Sequence, residues 1–185
     1  MNLVITGPRS VGKSTISKIV AEKLGLEYVS SDEIGDKAME HLGGLDKAIK
    51  SKAIEGFINQ GGYTLILDVF RNKKDFIFDL SGGSVSSRKM PEASAEVRAA
   101  AKKNSFIAGL LPSENEEESV KFLFEREKER VHFREIDKAE LHKKVDDDYR
   151  KFPPLFREFC NMIVYTRGKT PEKIAEEIIR KVSGN

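Results

Sequence analysis

Leu3-Val4-Ile5-Thr6-Gly7-Pro8-Arg9-Ser10-Val11-Gly12-Lys13-Ser14 is the stretch that decides the fold. Its first four residues are apolar or β-branched and stop at Gly7-Pro8, so they read as a short buried strand. Gly7 to Ser14 then fits the pattern G-x-x-x-x-G-K-[ST] at every position. Gly7 and Gly12 let the backbone fold around an anion without Cβ clashes. The successive N–H groups of Arg9, Ser10 and Val11 can then converge on phosphate oxygens. From Lys13 to Leu24 the apolar residues Ile16, Ile19, Val20 and Leu24 recur at helical spacing, so a helix dipole adds its positive end to the loop. In such a cradle Lys13 reaches the β- and γ-phosphates, the Ser14 hydroxyl ligates Mg²⁺, and Thr15 lies nearer the α-phosphate. The blander alternative is a glycine-rich turn with Lys13 in solvent. The position of the motif, directly after a strand and before a helix, favours nucleotide binding.

Working outward, Glu27 to Ser31 reads as a second strand, with Ser31 or Asp32 capping the helix after it. Strand, loop, helix, strand, helix is the rhythm of a parallel α/β sheet. Asp46 to Gln60 reads as one amphipathic helix stopped by Gly61-Gly62. The run 63–70 fits either a helix face or a buried strand, and periodicity does not decide so short a segment. Phe76 to Leu80 is a clearer strand, and Ser81 to Pro91 reads as a loop opening on Ser81-Gly82-Gly83-Ser84. Glu92 to Lys103 is an Ala-rich helix and Phe106 to Leu111 a strand. Ser113 with Glu116 reads as a capping box. Lys138 to Arg150 and Leu155 to Cys160 are helical, Met162 to Tyr165 is a last strand, and Thr170-Pro171 starts a final helix. Nothing marks a domain boundary, so residues 1–185 read as a single domain.

Composition narrows the function further. The chain has 185 residues, 32 Lys plus Arg against 30 Asp plus Glu, and a net charge of +2. This near-balance argues against a nucleic-acid partner. The single cysteine, Cys160, excludes a disulfide framework. No apolar run approaches the ~18 residues of a membrane span, and the first residues lack a signal-peptide core. The expectation is a cytoplasmic monomer without a membrane partner.

Asp32 falls at the end of the second strand, where the carboxyl ends of parallel strands line one crevice. It could accept a proton from a substrate hydroxyl or orient it, or it could serve only as a helix cap. Two acids that follow apolar runs, Asp68 and Asp79, compete to support Mg²⁺ from behind its ligands. Gly82 and Gly83 either approach a ligand with their backbone or form a tight turn. Arg126, Arg130 and Arg134 share one helix face and could neutralise a transferring phosphoryl group. Glu125, Glu127, Glu129 and Glu135 surround them, so ion pairing along the helix explains the same pattern.

Taken in order, Gly7 to Thr15, Asp32, the Gly-Gly turn, the Arg-bearing segment and Pro153-Pro154-Leu155-Phe156-Arg157 resemble the shikimate kinase family. The resemblance implies a three-layer P-loop kinase fold: a five-stranded parallel sheet, helices on both faces, a substrate-binding segment at about residues 32–62 and a mobile lid at about 125–138. It implies a kinase that uses ATP and Mg²⁺ to phosphorylate a hydroxyl of a small metabolite, as in the conversion of shikimate to shikimate 3-phosphate. On this likeness Asp32 holds the acceptor hydroxyl, Arg126 packs on adenine, and Arg130 or Arg134 closes on the γ-phosphate. Gly82, Gly83 and Arg150 then belong to the acceptor site. Ser30 stands where the family often has an Asp for Mg²⁺. The family's two carboxylate-binding arginines fall near Gln60 and Phe152, with Arg150 and Arg157 beside the latter. The same scaffold also suits a nucleotide or nucleoside kinase, or a regulatory nucleotide-binding module.

Overall fold

The computed structural model describes residues 1–130 and 136–184. Five strands, β1 (Asn2–Gly7), β2 (Glu27–Ser30), β3 (Phe76–Ser81), β4 (Phe106–Leu111) and β5 (Met162–Tyr165), form one sheet in the order β2-β3-β1-β4-β5. Every neighbouring pair is parallel. Leu3, Val4 and Ile5 are all fully buried, which explains an apolar run without alternation: helices cover both faces of the central strand.

The connections supply those helices. They are α1 (Lys13–Leu24), α2 (Ser31–Ala38), α3 (Leu45–Lys50), α4 (Ala53–Phe57), α5 (Thr64–Asn72), α6 (Gly82–Ser86), α7 (Pro91–Asn104), α8 (Glu116–Glu127), α9 (Lys138–Tyr149), α10 (Phe152–Phe159) and α11 (Pro171–Val182). Alternate strand residues feed two cores. Leu3, Ile5, Ile77 and Leu110 pack with α1, α8, α9, α10 and α11 on one face. Val4, Phe76, Phe78, Leu80 and Ile107 pack with α5, α6 and α7 on the other. The result is the three-layer α/β sandwich expected. None of the described helices is long and apolar enough to cross a membrane.

Three local expectations differ from the structure, and one left open is decided by it. Asp46–Gln60 is not one helix: Lys52 has φ +60° between α3 and α4, and a π-type turn at Ile58–Gly62 follows. The ambiguous run 63–70 is helical, because Ile66, Leu67, Val69 and Phe70 bury against β3, with the Phe70 ring 5.4 Å from that of Phe78. The helix after β4 is capped by Asn115, which accepts a bond from the Glu118 N–H at 3.0 Å. Ser113 is occupied elsewhere, since its N–H and carbonyl are both tied to the Ser119 hydroxyl. The loop read at Ser81–Pro91 holds a short helix, α6, capped by the Ser81 hydroxyl.

Candidate active site

The phosphate loop leaves β1 at its carboxyl end and turns back into α1. Gly12 lies at φ +105° and Ser10 at φ +64°, both left-handed. Gly7 runs so close to β4 that a Cβ there would lie 2.6 Å from the Leu110 carbonyl oxygen. The first turn of α1 has no acidic residue and no side-chain cap. Its N–H groups and the positive end of its dipole therefore remain available to an anion. Ser14 and Thr15 are exposed on that turn and line a cleft of about 1550 Å³. The Val11 side chain is buried in the core, so only its backbone is left for a ligand.

Lys13 occupies the floor of this cleft, its Nζ donating to the Pro8 carbonyl at 3.2 Å. Burial pushes its pKa down, Asp79 and then Asp32 pull it back up, and Arg9 and Arg130 depress it further. Asp79 lies in β3, two residues before its end, and is 4% exposed. The Tyr28 hydroxyl donates to its Oδ2 at 3.1 Å. Desolvation, with Asp79 beside it, pushes the Tyr28 phenol up to about 12.

Asp32 is not the cap of α2. Ser30 is, accepting from the Glu33 N–H at 3.3 Å. That leaves Asp32 in the first turn of the helix, exposed and lining the cleft. Its placement depends on a neighbour that the sequence reading treated only as a cap. The Ser31 hydroxyl donates to the Asp79 carbonyl at 3.1 Å and accepts from the Ser81 N–H at 2.8 Å, stitching α2 to the end of β3. The Asp32 carboxyl is held above its ordinary range by desolvation, opposed by Lys13 and reinforced by Asp79. One ammonium thus lies in the field of two carboxylates, one buried behind it and one opening on the cleft.

Of the two acids offered for Mg²⁺, Asp68 sits on α5 paired with Arg71 at 3.2 Å and does not line the cleft. Asp79 lies beside Lys13. Among the described residues no cluster of three metal-ligating side chains occurs. The Ser14 hydroxyl and the Asp79 carboxylate are hard oxygen donors, which fits Mg²⁺ carried in largely by phosphate oxygens and water.

The two neighbouring glycines differ. A Cβ on Gly82 would lie 2.5 Å from the Gly7 carbonyl and 2.7 Å from the Phe152 ring, whereas Gly83 is exposed with nothing nearer than 3.9 Å. Among the described residues Arg126 forms no bond to a neighbouring acid. Its Nη1 donates to the Ser10 carbonyl at 3.0 Å and its guanidinium lies over the Phe122 ring. Arg130 lines the cleft 3.8 Å from Glu127. Arg134 lies outside the described residues. Arg150 is a correction: Asp146, Glu116 and Glu117 bind its guanidinium, so it is held away from the cleft, which it does not line. Two residues escaped the sequence reading. Arg88 lines the cleft and has no partner among the described residues; only its place just beyond the Gly-Gly turn hinted at it. Glu127 is buried, although its spacing made it look like an ordinary surface partner of the arginines.

A sequence model described as shikimate kinase matches residues 9–183 of this chain. A curated shikimate kinase of Thermodesulfovibrio yellowstonii is 30% identical over 183 residues, spanning 97% of this chain and 94% of that one. Among solved structures, a shikimate kinase from Acinetobacter baumannii in complex with shikimate superposes with TM-score 0.74 at 22% identity, covering 100% of this chain and 93% of that one. A deoxyadenosine kinase from M. mycoides superposes with TM-score 0.60 at 18% identity, covering 100% and 99%. At these identities the two structures speak for the shared fold.

Proposed function

Because the chain belongs to the shikimate kinase family, and is thus an ATP-dependent small-molecule kinase, we propose that its acceptor is shikimate and its product shikimate 3-phosphate. The observation that carries this reading is a phosphate loop whose Lys13 shares one cleft with Asp32, with Asp79 buried close enough to Lys13 to act on its charge. The loop N–H groups, the start of α1 and Lys13 bind the phosphates of ATP. Ser14 and Asp79 would hold Mg²⁺, which when bound supplies a positive charge against the phosphate oxygens. Asp32 accepts the hydrogen bond of the attacking hydroxyl. As the new P–O bond forms and the bond to ADP breaks, the hydroxyl proton passes to Asp32. Arg130 offsets charge on the transferring group.

Shikimate is a carboxylic acid, and the chain has Gln60 and Phe152 where the resemblance looks for arginines. Arg88 supports the reading, because it is a guanidinium on the cleft wall with no partner among the described residues. Its neighbour Lys89 pairs with Glu55 of the proposed acceptor segment, which supports an acceptor role for this wall. A guanidinium binds a carboxylate through two parallel hydrogen bonds. The single domain, with residues 32–62 serving the acceptor and 125–138 the lid, belongs to the same reading. So does a cytoplasmic monomer that meets only ATP and a small metabolite.

ADP release measured with ATP alone, with shikimate and with a panel of nucleosides and nucleoside monophosphates tests the acceptor. Shikimate should stimulate release, and Arg88→Ala should raise its KM roughly tenfold or more with kcat little changed. Stimulation by a nucleoside and none by shikimate would refute the assignment.

A further inference from the structure

The last turn of α8 grips the phosphate loop at two points on one residue. The Ser10 hydroxyl donates to Oε1 of Glu127, and the Ser10 carbonyl accepts from Arg126 at 3.0 Å. Ser10 is the non-glycine residue of the loop that holds a left-handed backbone, φ +64°, a conformation that persists only where its surroundings impose it. The same Glu127 oxygen lies 3.8 Å from Nε of Arg130. Glu127 is 4% exposed, and among the described residues Ser10 and Arg130 are the groups that meet its carboxylate. Arg130 in turn lines the same cleft as Lys13.

We infer that Glu127 is a positioning residue for phosphoryl transfer: one buried carboxylate fixes the loop through Ser10 and holds Arg130 on the wall of the cleft that Lys13 also lines. The inference rests on the reading of this loop as the ATP cradle and of Arg130 as a group acting on the phosphates. Nucleotide binding and arginine placement then share a single anchor. Each half should be separable, because the Ser10 bond needs only an acceptor oxygen whereas the Arg130 pair needs the charge.

Glu127→Gln keeps the acceptor oxygen and volume but removes the charge. ADP affinity by calorimetry and KM for ATP should stay within about threefold of wild type, and kcat should fall about tenfold or more. Arg130→Ala should lower kcat by a similar factor. The double variant should be no slower than about twofold below either single one, because the two residues act as a unit. Ser10→Ala should weaken ADP binding with a smaller effect on kcat. Glu127→Ala removes both contacts, and if it fails to fold, the isosteric Gln variant still decides the matter. A kcat within about twofold of wild type in Glu127→Gln, or multiplicative losses in the double variant, would overturn the inference. Should wild type bind ADP yet turn over no acceptor, the acceptor assignment fails alone, and the same ratios are then read on basal ATP hydrolysis.

Discussion

Gly82→Ala and Gly83→Ala form a pair of perturbations whose outcomes should differ sharply although the residues are adjacent. A methyl on Gly82 would sit 2.5 Å from the Gly7 carbonyl oxygen, and 2.7 and 3.0 Å from two carbons of the Phe152 ring. Neither neighbour is a flexible tip. Gly7 is backbone at the root of the phosphate loop, and Phe152 is 3% exposed in the core. Overpacking of this kind costs about 1–3 kcal/mol. For a chain of this size, roughly 2 kcal/mol lowers Tm by about 4–8 °C. The displaced Gly7 carries the loop with it, so KM for ATP should rise or kcat fall about tenfold or more. A methyl on Gly83 meets nothing nearer than 3.9 Å. Its effect on stability should stay within about 0.5 kcal/mol, and it is expected on the acceptor KM instead. Differential scanning fluorimetry of both apo variants, followed by initial rates of ADP release, makes the comparison. A Gly82→Ala protein that melts with wild type and keeps its KM for ATP would refute the packing argument, as would equal destabilisation by the two substitutions.

Lys13→Ala should abolish turnover while circular dichroism and a cooperative melt stay unchanged; an unaltered rate would remove Lys13 from the mechanism. The carboxyl of Asp32 is raised above its ordinary value, so its ionisation costs the empty protein stability as pH rises from the unfolded value through the folded one. Asp32→Asn should therefore raise the apo Tm at neutral pH, with the gain vanishing on acidification below the ordinary carboxylate range, and should remove the acidic limb of kcat/KM. A wild-type limb within the ordinary carboxylate range, or none, would contradict the assignment of Asp32. Arg150→Ala should leave the acceptor KM within about twofold of wild type, because the guanidinium is already engaged by three carboxylates; a loss of about tenfold in acceptor affinity would return Arg150 to the site.

What the sequence made legible was local chemistry. Gly7 to Ser14 carries its own geometry, and the apolar runs at Leu3, Phe76 and Phe106 become three neighbouring strands because each is too apolar for anything but the middle of a sheet. What stayed hidden depends on partners distant in the chain. The run 63–70 becomes helical because Phe70 finds Phe76 and Phe78, which no periodicity within eight residues encodes. Asp32 needs Ser31 to reach Asp79, and Glu127 becomes buried only when Ser10 lies above it. Arg150 misled for the opposite reason: its position beside the Pro-Pro segment suggested the cleft, but the acids at the start of α8 claim it.

β1 is a strand without a partner for much of the chain's synthesis. It pairs with β3 from Asn2 opposite Phe76 and with β4 from Leu3 opposite Phe106, while β2, which follows it directly, among the described residues pairs only with β3. A nascent chain on the ribosome therefore carries the signature motif long before it can hold an anion, because closing so long a loop of chain must precede any sheet contact. A fragment that stops short of Phe106 would leave one edge of its central strand bare, an invitation to intermolecular pairing. Nucleotide affinity in this protein should thus arrive late and abruptly as the chain lengthens, however early its code is written.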